Sequence, residues 1–537
     1  MASAEPQTPS RSGDRFGAAA IFALAAAVAL SFALFTDQRW EDYYITFRVS
    51  KNLALGLGPV FQAGERIHAF TSPLGMLLPA VISWMTGGNA DEATLWIFRA
   101  LTIGAFAGAV ATVWSLARAA GWSRGSAAVA AVLLMTDAKS VSFSINGMET
   151  AFMLLFLALA IRQSVIAPAT GGWKLGCFWG ALMWTRPDSF VFFGSVALGG
   201  WLFTSDARVP GGRWTVAREY FKAGGVCAAI YLPWFLWAWS YFGSPVPHTI
   251  VAKGLDHHFP GWGALLFDLV TLPIRVWGRG GWDSILTPIY FFPYGGWPPF
   301  IAYFARALIV IAGCAFALPR MSPLVRGLSL ALLIGITYLQ YVDLFPWYFP
   351  PVAMLIFLAF AGVLEGLCRA TGQAVFPLAA GSVAVIFTVS LLATSAWQLR
   401  QQQRIIEGQR REIGEWLRAH RDSPTDTVFL EPLGYIGYYS QLKMYDYPGL
   451  SSAEMIAARR QVGENRLALV AALTPRWIVQ RPGELQAPNA EINAWFLGHY
   501  SPVMIFNVSD RIDAVPFLPG RPYLRFDQGF LLWKRHD

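Results

Sequence analysis

Residues 16–44 read FGAAAIFALAAAVALSFALFTDQRWEDYY, a long apolar run over 16–35 that gives way at once to Arg39-Trp40-Glu41-Asp42-Tyr43-Tyr44. A helix needs about 20 such residues to cross the hydrocarbon core of a bilayer. The run is longer than the apolar core of a signal peptide, about 7–15 residues. It therefore reads as an uncleaved first span, with the polar tail 1–15 (Glu5, Arg11, Asp14, Arg15) on the cytoplasmic side. Two adjacent carboxylates then stand where the chain emerges on the other side.

The rest of the chain repeats this texture. Of 537 residues, 55% are hydrophobic and 14% charged, against about 25% charged in a soluble domain. Further spans are expected near 94–117, 125–143, 150–168, 174–186, 188–204, 223–242, 298–318, 327–342, 349–367 and 374–396. That makes about eleven with the first. Residues 71–85 are apolar but short and punctuated by Pro73 and Pro79, and are read as an interfacial helix. With that choice Arg11, Arg15, Arg118, Arg124, Arg162, Lys174, Arg208, Arg213, Arg218, Lys222, Arg320, Arg326 and Arg369 all fall inside. Counting 71–85 as a span would move every later basic loop outside, against the positive-inside bias. The net charge of +8 is thus an orientation signal, and no nucleic-acid partner is expected. Cys177, Cys227, Cys314 and Cys368 all sit in or beside apolar runs, so each is expected to be a buried small hydrophobe rather than half of a disulfide.

This topology sends three pieces outside: loop 37–93, loop 243–297, and everything from 397 to 537. The last opens with a charged helical stretch, 400–420, whose apolar positions Ile405, Ile406, Ile413, Trp416 and Leu417 recur at helical spacing. Strand-like runs follow at 427–430, 477–479, 503–506 and 530–533, with Pro/Gly turns between them. A small mixed α/β domain is expected. The fold class is mainly α, a polytopic transmembrane bundle with a C-terminal extracytoplasmic domain.

The chemistry clusters at the outer edge. Glu41 and Asp42 could take a proton from a hydroxyl or hold a divalent cation; an ordinary solvated helix end is the competing reading. Arg48, Lys51, Asn52 and a Gly-rich turn (Gly56, Gly58, Gly64) lead through Glu65-Arg66-Ile67-His68 to Thr71-Ser72-Pro73-Leu74. Asn146-Gly147-Met148-Glu149 and Thr185-Arg186-Pro187-Asp188 sit at span junctions. Pro245-Val246-Pro247-His248-Thr249, with Lys253 close behind, opens the second outer loop. Cations at this depth suit a lipid-linked phosphate, Arg by a bidentate grip and Lys as a point charge. Arg186 could equally be a structural partner of Asp188 or Glu149, and His248 alone is more simply a hydrogen-bonded His. His257-His258 lacks the second Cys/His group of a zinc site. The rings of Asp343-Leu344-Phe345-Pro346-Trp347-Tyr348-Phe349-Pro350 read mostly as a membrane-interface belt.

In order along the chain, these motifs resemble a known family. Glu41-Asp42-Tyr43-Tyr44-Ile45-Thr46-Phe47-Arg48, Gly58-Pro59-Val60-Phe61, Gly64-Glu65-Arg66 and Phe70-Thr71-Ser72-Pro73-Leu74 resemble the first outer loop of bacterial GT-C glycosyltransferases, in particular the AftB-like arabinofuranosyltransferases. Gly147-Met148-Glu149-Thr150, Thr185-Arg186-Pro187-Asp188, Pro247-His248-Thr249-Ile250-Val251-Ala252-Lys253, Gly434-Tyr435-Ile436-Gly437-Tyr438-Tyr439 and Asp446-Tyr447-Pro448-Gly449-Leu450 are similar to later pieces of that family. The chain departs from the family pattern in Glu41, Gly75 and His248.

The resemblance implies a GT-C fold, with 16–396 as the catalytic membrane domain and 397–537 as a periplasmic domain, in the bacterial inner membrane. It implies an inverting transfer of a sugar, arabinofuranose in the nearest relatives, from a polyprenyl-phosphate carrier to an envelope glycan or lipid acceptor. Asp42, assisted by Glu41, would be the base. Arg186, Lys253, His248 and Arg66 would hold the donor phosphate, and Tyr43, Tyr44, Arg48, Thr71 and Glu149 would complete the substrate site. A divalent cation at Glu41/Asp42 stays open. So do a lipid or glycan flippase without bond chemistry, and an enzyme with a diphosphate-linked donor. Against the flippase stand the absence of visible inverted repeats and an expected lack of ionisable residues in mid-span.

Overall fold

A computed structural model of the chain describes residues 11–204, 209–254, 261–275, 282–288, 297–342 and 345–536. Glu5, Arg208, His257-His258 and Asp343-Leu344 lie outside the described residues.

Every expected span is helical, that over 125–143 in two pieces, and their lengths differ. Among the described residues six helices are long and apolar enough to cross a membrane: Asp14–Thr36, Asp91–Ala119, Gly212–Phe242, Phe300–Ala317, Pro346–Thr371 and Val375–His420. The pair Arg124–Thr136 and Ala138–Ile145, bent by 54°, makes a seventh. Thr150–Ile166 and Pro323–Leu339 are shorter, each rising about 25 Å at 1.5 Å per residue. Residues 73–85 form the expected short helix. Ser72 caps it by accepting the Gly75 N–H at 2.8 Å, with Pro73 in its first turn. Its Val81, Trp84 and Met85 face outward, as an interfacial helix requires.

Two expectations are corrected here. The span expected over 125–143 breaks at Asp137, so an ionisable pair does sit within it. Asp137 accepts from the Ser140 N–H and hydroxyl at 2.8 and 2.7 Å, and the buried Lys139 reaches the Thr287 and Pro288 carbonyls. Each charge is satisfied locally, which is how it survives burial. Among the cysteines only Cys227 is buried; Cys177 is exposed, and none of the four is disulfide-bonded.

The C-terminal region does not begin with a break. Helix Val375–His420 runs for 46 residues without interruption, because no Gly or Pro occurs between Gly381 and Gly408. It leaves the apolar zone near Arg400 and becomes a wall of the C-terminal domain. That domain carries a five-stranded sheet: β1 (Thr427–Leu430), β2 (Lys443–Asp446), β3 (Trp477–Gln480), β4 (Tyr500–Asn507) and β5 (Gly529–Arg535). The order is β2-β1-β3-β5-β4, with β1 parallel to β2 and β3, and β5 antiparallel to β3 and β4. Helix Leu433–Ser440 packs between Val375–His420 and the outer-loop helix Glu41–Ala54. The expected small α/β domain is present, and it lies directly on the loop that carries Glu41 and Asp42.

Candidate functional site

Helix Glu41–Ala54 begins with two acids, where the partial positive charge of a helix N-terminus favours them. Neighbouring helix positions point about 100° apart, and here that separates the pair. Glu41 turns to the C-terminal domain, meeting Arg410 Nη1 at 3.1 Å and accepting the Gly434 N–H at 2.5 Å. A Cβ on Gly434 would strike the Glu41 carbonyl, so only glycine allows this contact. Asp42 turns the other way, into a small cleft shared with Thr46, Thr71, Ser72, Glu149, Arg186, Thr249, Lys253, Trp347, Tyr348 and Leu450.

Four separate segments bring the charges to this cleft. The Trp40 N–H donates to the Asn146 carbonyl at 3.0 Å, tying the acidic helix start to the turn that ends in Glu149. Gly147 in that turn has φ +97°, and a Cβ there would collide with the Tyr43 ring. Arg186 follows helix Gly172–Thr185 and is buried. It grips Asp188 with Nε and Nη2 at 3.0 and 3.2 Å, lies 3.6 Å from Glu149, and places its guanidinium 4.5 Å from the Tyr348 ring centre. Both structural partners foreseen for Arg186 are therefore real, and the same cation also faces Asp42. Lys253, on helix His248–Gly254, packs its Nζ 4.4 Å from Phe345 and 5.4 Å from Trp347. Thr71 and Thr249 hydroxyls meet at 3.4 Å and join the segments that carry Asp42 and Lys253.

Burial pushes the Asp42 carboxyl above its ordinary value, with Lys253 and then Arg186 pulling against the rise. Glu41 is raised to about 7 by burial, against Arg410. The two acids thus titrate in different surroundings. They do not converge on a shared cation position, and among the described residues no three His, Cys, Asp or Glu side chains cluster as metal ligands.

The remaining candidates lie elsewhere. Arg48 is buried, donating to the Gly437 and Leu442 carbonyls and to Gln62 at 2.8 to 3.3 Å, so it staples the loop to the C-terminal domain. Tyr44 meets Tyr439 at 3.1 Å and packs on Tyr435 and Tyr438, while Tyr43 stacks on Phe47. His248 lies beside the cleft, its N–H donating to the His68 carbonyl and its ring 3.5 Å from the Ser452 carbonyl. Arg66 is exposed over Tyr241. Trp347 is not a belt residue: it is buried against Trp40 and Phe143. Trp347, Tyr348, Thr249, Ser72 and Leu450 were not separated from their neighbours by any sequence signal. Their motifs were visible, but not which side chain turns inward.

The fold is that of the GT-C membrane glycosyltransferases. The chain superposes on the archaeal oligosaccharyltransferase AglB of Archaeoglobus fulgidus, solved with an inhibitory peptide and a dolichol-phosphate, with a TM-score of 0.56 at 13% identity, covering 92% of this chain and 73% of that one. It superposes on ArnT of Cupriavidus metallidurans, solved bound to undecaprenyl phosphate, with a TM-score of 0.51 at 12% identity, covering 96% and 97%. In sequence it is similar to the terminal beta-(1->2)-arabinofuranosyltransferase of Corynebacterium glutamicum, 27% identical over 282 residues, which cover 47% of this chain and 39% of that protein. The Mycobacterium tuberculosis protein of the same name is 27% identical over 263 residues, covering 45% and 39%. The match thus spans well under half the length of these relatives. Residues 397–523 match a family described as a domain of unknown function (DUF8728).

Proposed function

We propose that this chain is an inverting membrane glycosyltransferase that moves a sugar, arabinofuranose by its similarity to the two terminal arabinofuranosyltransferases, from a polyprenyl-phosphate carrier to an envelope glycan or lipid. The observation that carries the reading is the placement of Asp42 at a helix N-terminus opposite Lys253 and Arg186. Asp42 takes the proton of the acceptor hydroxyl as that oxygen attacks the anomeric carbon. The bond from that carbon to the carrier phosphate breaks, and the electron pair leaves on the phosphate oxygen. Arg186 and Lys253 stabilise the charge that grows there, fixed in place by Asp188, Tyr348 and the Phe345/Trp347 rings. Glu41 sits one residue away but outside the cleft, and its role is to seat the C-terminal domain. The basic ends of the helices remote from the cleft support a cytoplasmic location for those ends, with the cleft and 397–537 on the periplasmic side of the inner membrane.

The test supplies purified full-length protein with a polyprenyl-phosphate arabinofuranose and a glycan acceptor, and follows release of polyprenyl phosphate. Transfer is expected, and Asp42→Asn should abolish it with an unchanged melting temperature. EDTA should leave turnover unchanged, because Arg186 and Lys253 already supply the positive charge. A flippase would release no polyprenyl phosphate, which would overturn the reading.

A further inference from the structure

A second cavity lies at the opposite end of the bundle. It has about 700 Å³ of free volume, and each helix contributes to it the end remote from Asp42. Helix Thr150–Ile166 starts beside Glu149 in the cleft and reaches this cavity through Ile161 and Val165, on the order of 20 Å further on. Helix Phe349–Thr371 likewise starts beside Tyr348 and lends Glu365 and Arg369. Small residues form part of its wall, among them Ala119, Gly200, Gly327 and Gly362, and apolar side chains line its depth.

Its mouth is basic. Arg369 pairs with Glu365 at 2.8 Å, and Glu365 also accepts the Ser123 N–H at 3.0 Å, so that pair is internally balanced. Arg320 is exposed at the rim, and among the described residues no carboxylate lies within ion-pair distance of it. Among the described residues the cavity therefore carries one guanidinium without a carboxylate partner, over an apolar shaft. The volume is that of a ligand pocket, about 300–1,000 Å³. Basic pockets between spanning helices on the cytoplasmic side are where anionic lipid headgroups bind.

We propose that this cavity seats an anionic phospholipid of the leaflet remote from the cleft. Its phosphate lies on Arg320, and an acyl chain fills the space between Thr150–Ile166, Ser189–Leu202 and Pro323–Leu339. A phosphate needs a donor not already committed, and among the described residues lining the cavity Arg320 offers a planar fork free of a carboxylate. The occupant is separate from the sugar donor, whose headgroup belongs at the opposite face.

Native mass spectrometry of the full chain, purified in mild detergent, tests this without any transfer assay. The wild type should retain phosphatidylglycerol or cardiolipin, and added phosphatidylglycerol should raise its melting temperature where phosphatidylcholine does not. Arg320→Glu should cut retention about tenfold, the scale of one lost charge-assisted contact. Val165→Trp, which fills the shaft and keeps the charge, should do the same and guards against a folding defect in the first variant. Equal retention in the wild type and both variants would overturn the proposal. So would equal stabilisation by inorganic phosphate, which would make the site one for a free anion, or displacement of phosphatidylglycerol by polyprenyl phosphate at equal concentration.

Discussion

Asp42 has to be ionised to act as a base, and its surroundings pull in two directions. Burial raises its carboxyl above the ordinary 3.8, while Lys253, then Arg186, lower it again. The net direction is up, so kcat/KM should fall as pH drops through a value above the usual carboxylate range. Lys253→Ala removes the larger of the two opposing charges. It should slow transfer by about 10²–10³-fold, as loss of a preorganised charge stabiliser does, and should also move the acid limb of the pH profile further upward. A limb left in place would assign it to another group. Arg186→Lys keeps the charge but loses the two-pronged grip on Asp188, so turnover should fall while the limb stays close to its wild-type position. Much of this cleft was legible in the sequence: Asp42, Thr71, Glu149, Arg186 and Lys253 were each picked out from separate motifs, and the fold brings them together. What the sequence withheld was direction. Glu41, Tyr44 and Arg48 share the Asp42 motif, yet residues 41–54 form a helix that was not foreseen, and its rotation turns those three toward the C-terminal domain.

Helix Val375–His420 is the element that joins the membrane bundle to the C-terminal domain. Its two halves were both visible, one as an apolar span and one as an amphipathic stretch. The change of polarity near Arg400 looked like a boundary, but the backbone does not break there. Rigidity across that point fixes where Arg410 meets Glu41. Gly408 is the weak point, since nothing lies within 4 Å of a Cβ placed there. Gly408→Ala should therefore stabilise the helix by about 0.5–1 kcal/mol through lost unfolded-state freedom. Arg404→Pro, at an exposed position in the same stretch, should cost about 3 kcal/mol. Thermal unfolding of the full chain checks both. Strand β2 shows the other limit of pattern reading: Lys443-Met444-Tyr445-Asp446 has too few apolar residues to register as a strand, and only pairing with β1 makes it one.

Across the whole molecule, the carboxylates of both ends are mostly paired, Asp37, Asp91 and Asp188 with Arg39, Lys51 and Arg186 near the cleft and Asp14, Glu219 and Glu365 with Arg118, Lys222 and Arg369 away from it. Arg162, Arg213, Arg320 and Arg326 add further positive charge at the end away from the cleft. Cysteines introduced at Arg213 and Tyr439 should accordingly label from opposite sides of the membrane, the second from the periplasm, in a background without native cysteines. The C-terminal domain is held on the cleft end through Arg410, which faces Glu41, Glu407 and Asp527 at 3.1, 2.9 and 2.5 Å. Three carboxylates share this cation, and Arg481 also serves Asp527. Asp527 is held below its ordinary value and Glu41 is left high, at about 7. A carboxyl whose folded value exceeds its unfolded one stabilises the fold in its protonated form. That contribution is complete below 4.5, the ordinary glutamate value, and is lost as pH rises through about 7. Glu41→Gln keeps an oxygen for the Gly434 N–H and cannot ionise, so it should be insensitive over this window. The melting temperature of Glu41→Gln relative to wild type should therefore climb between pH 5 and pH 8. A constant difference would mean that Glu41 stays ionised throughout, and that Arg410 rather than burial governs the contact between bundle and domain.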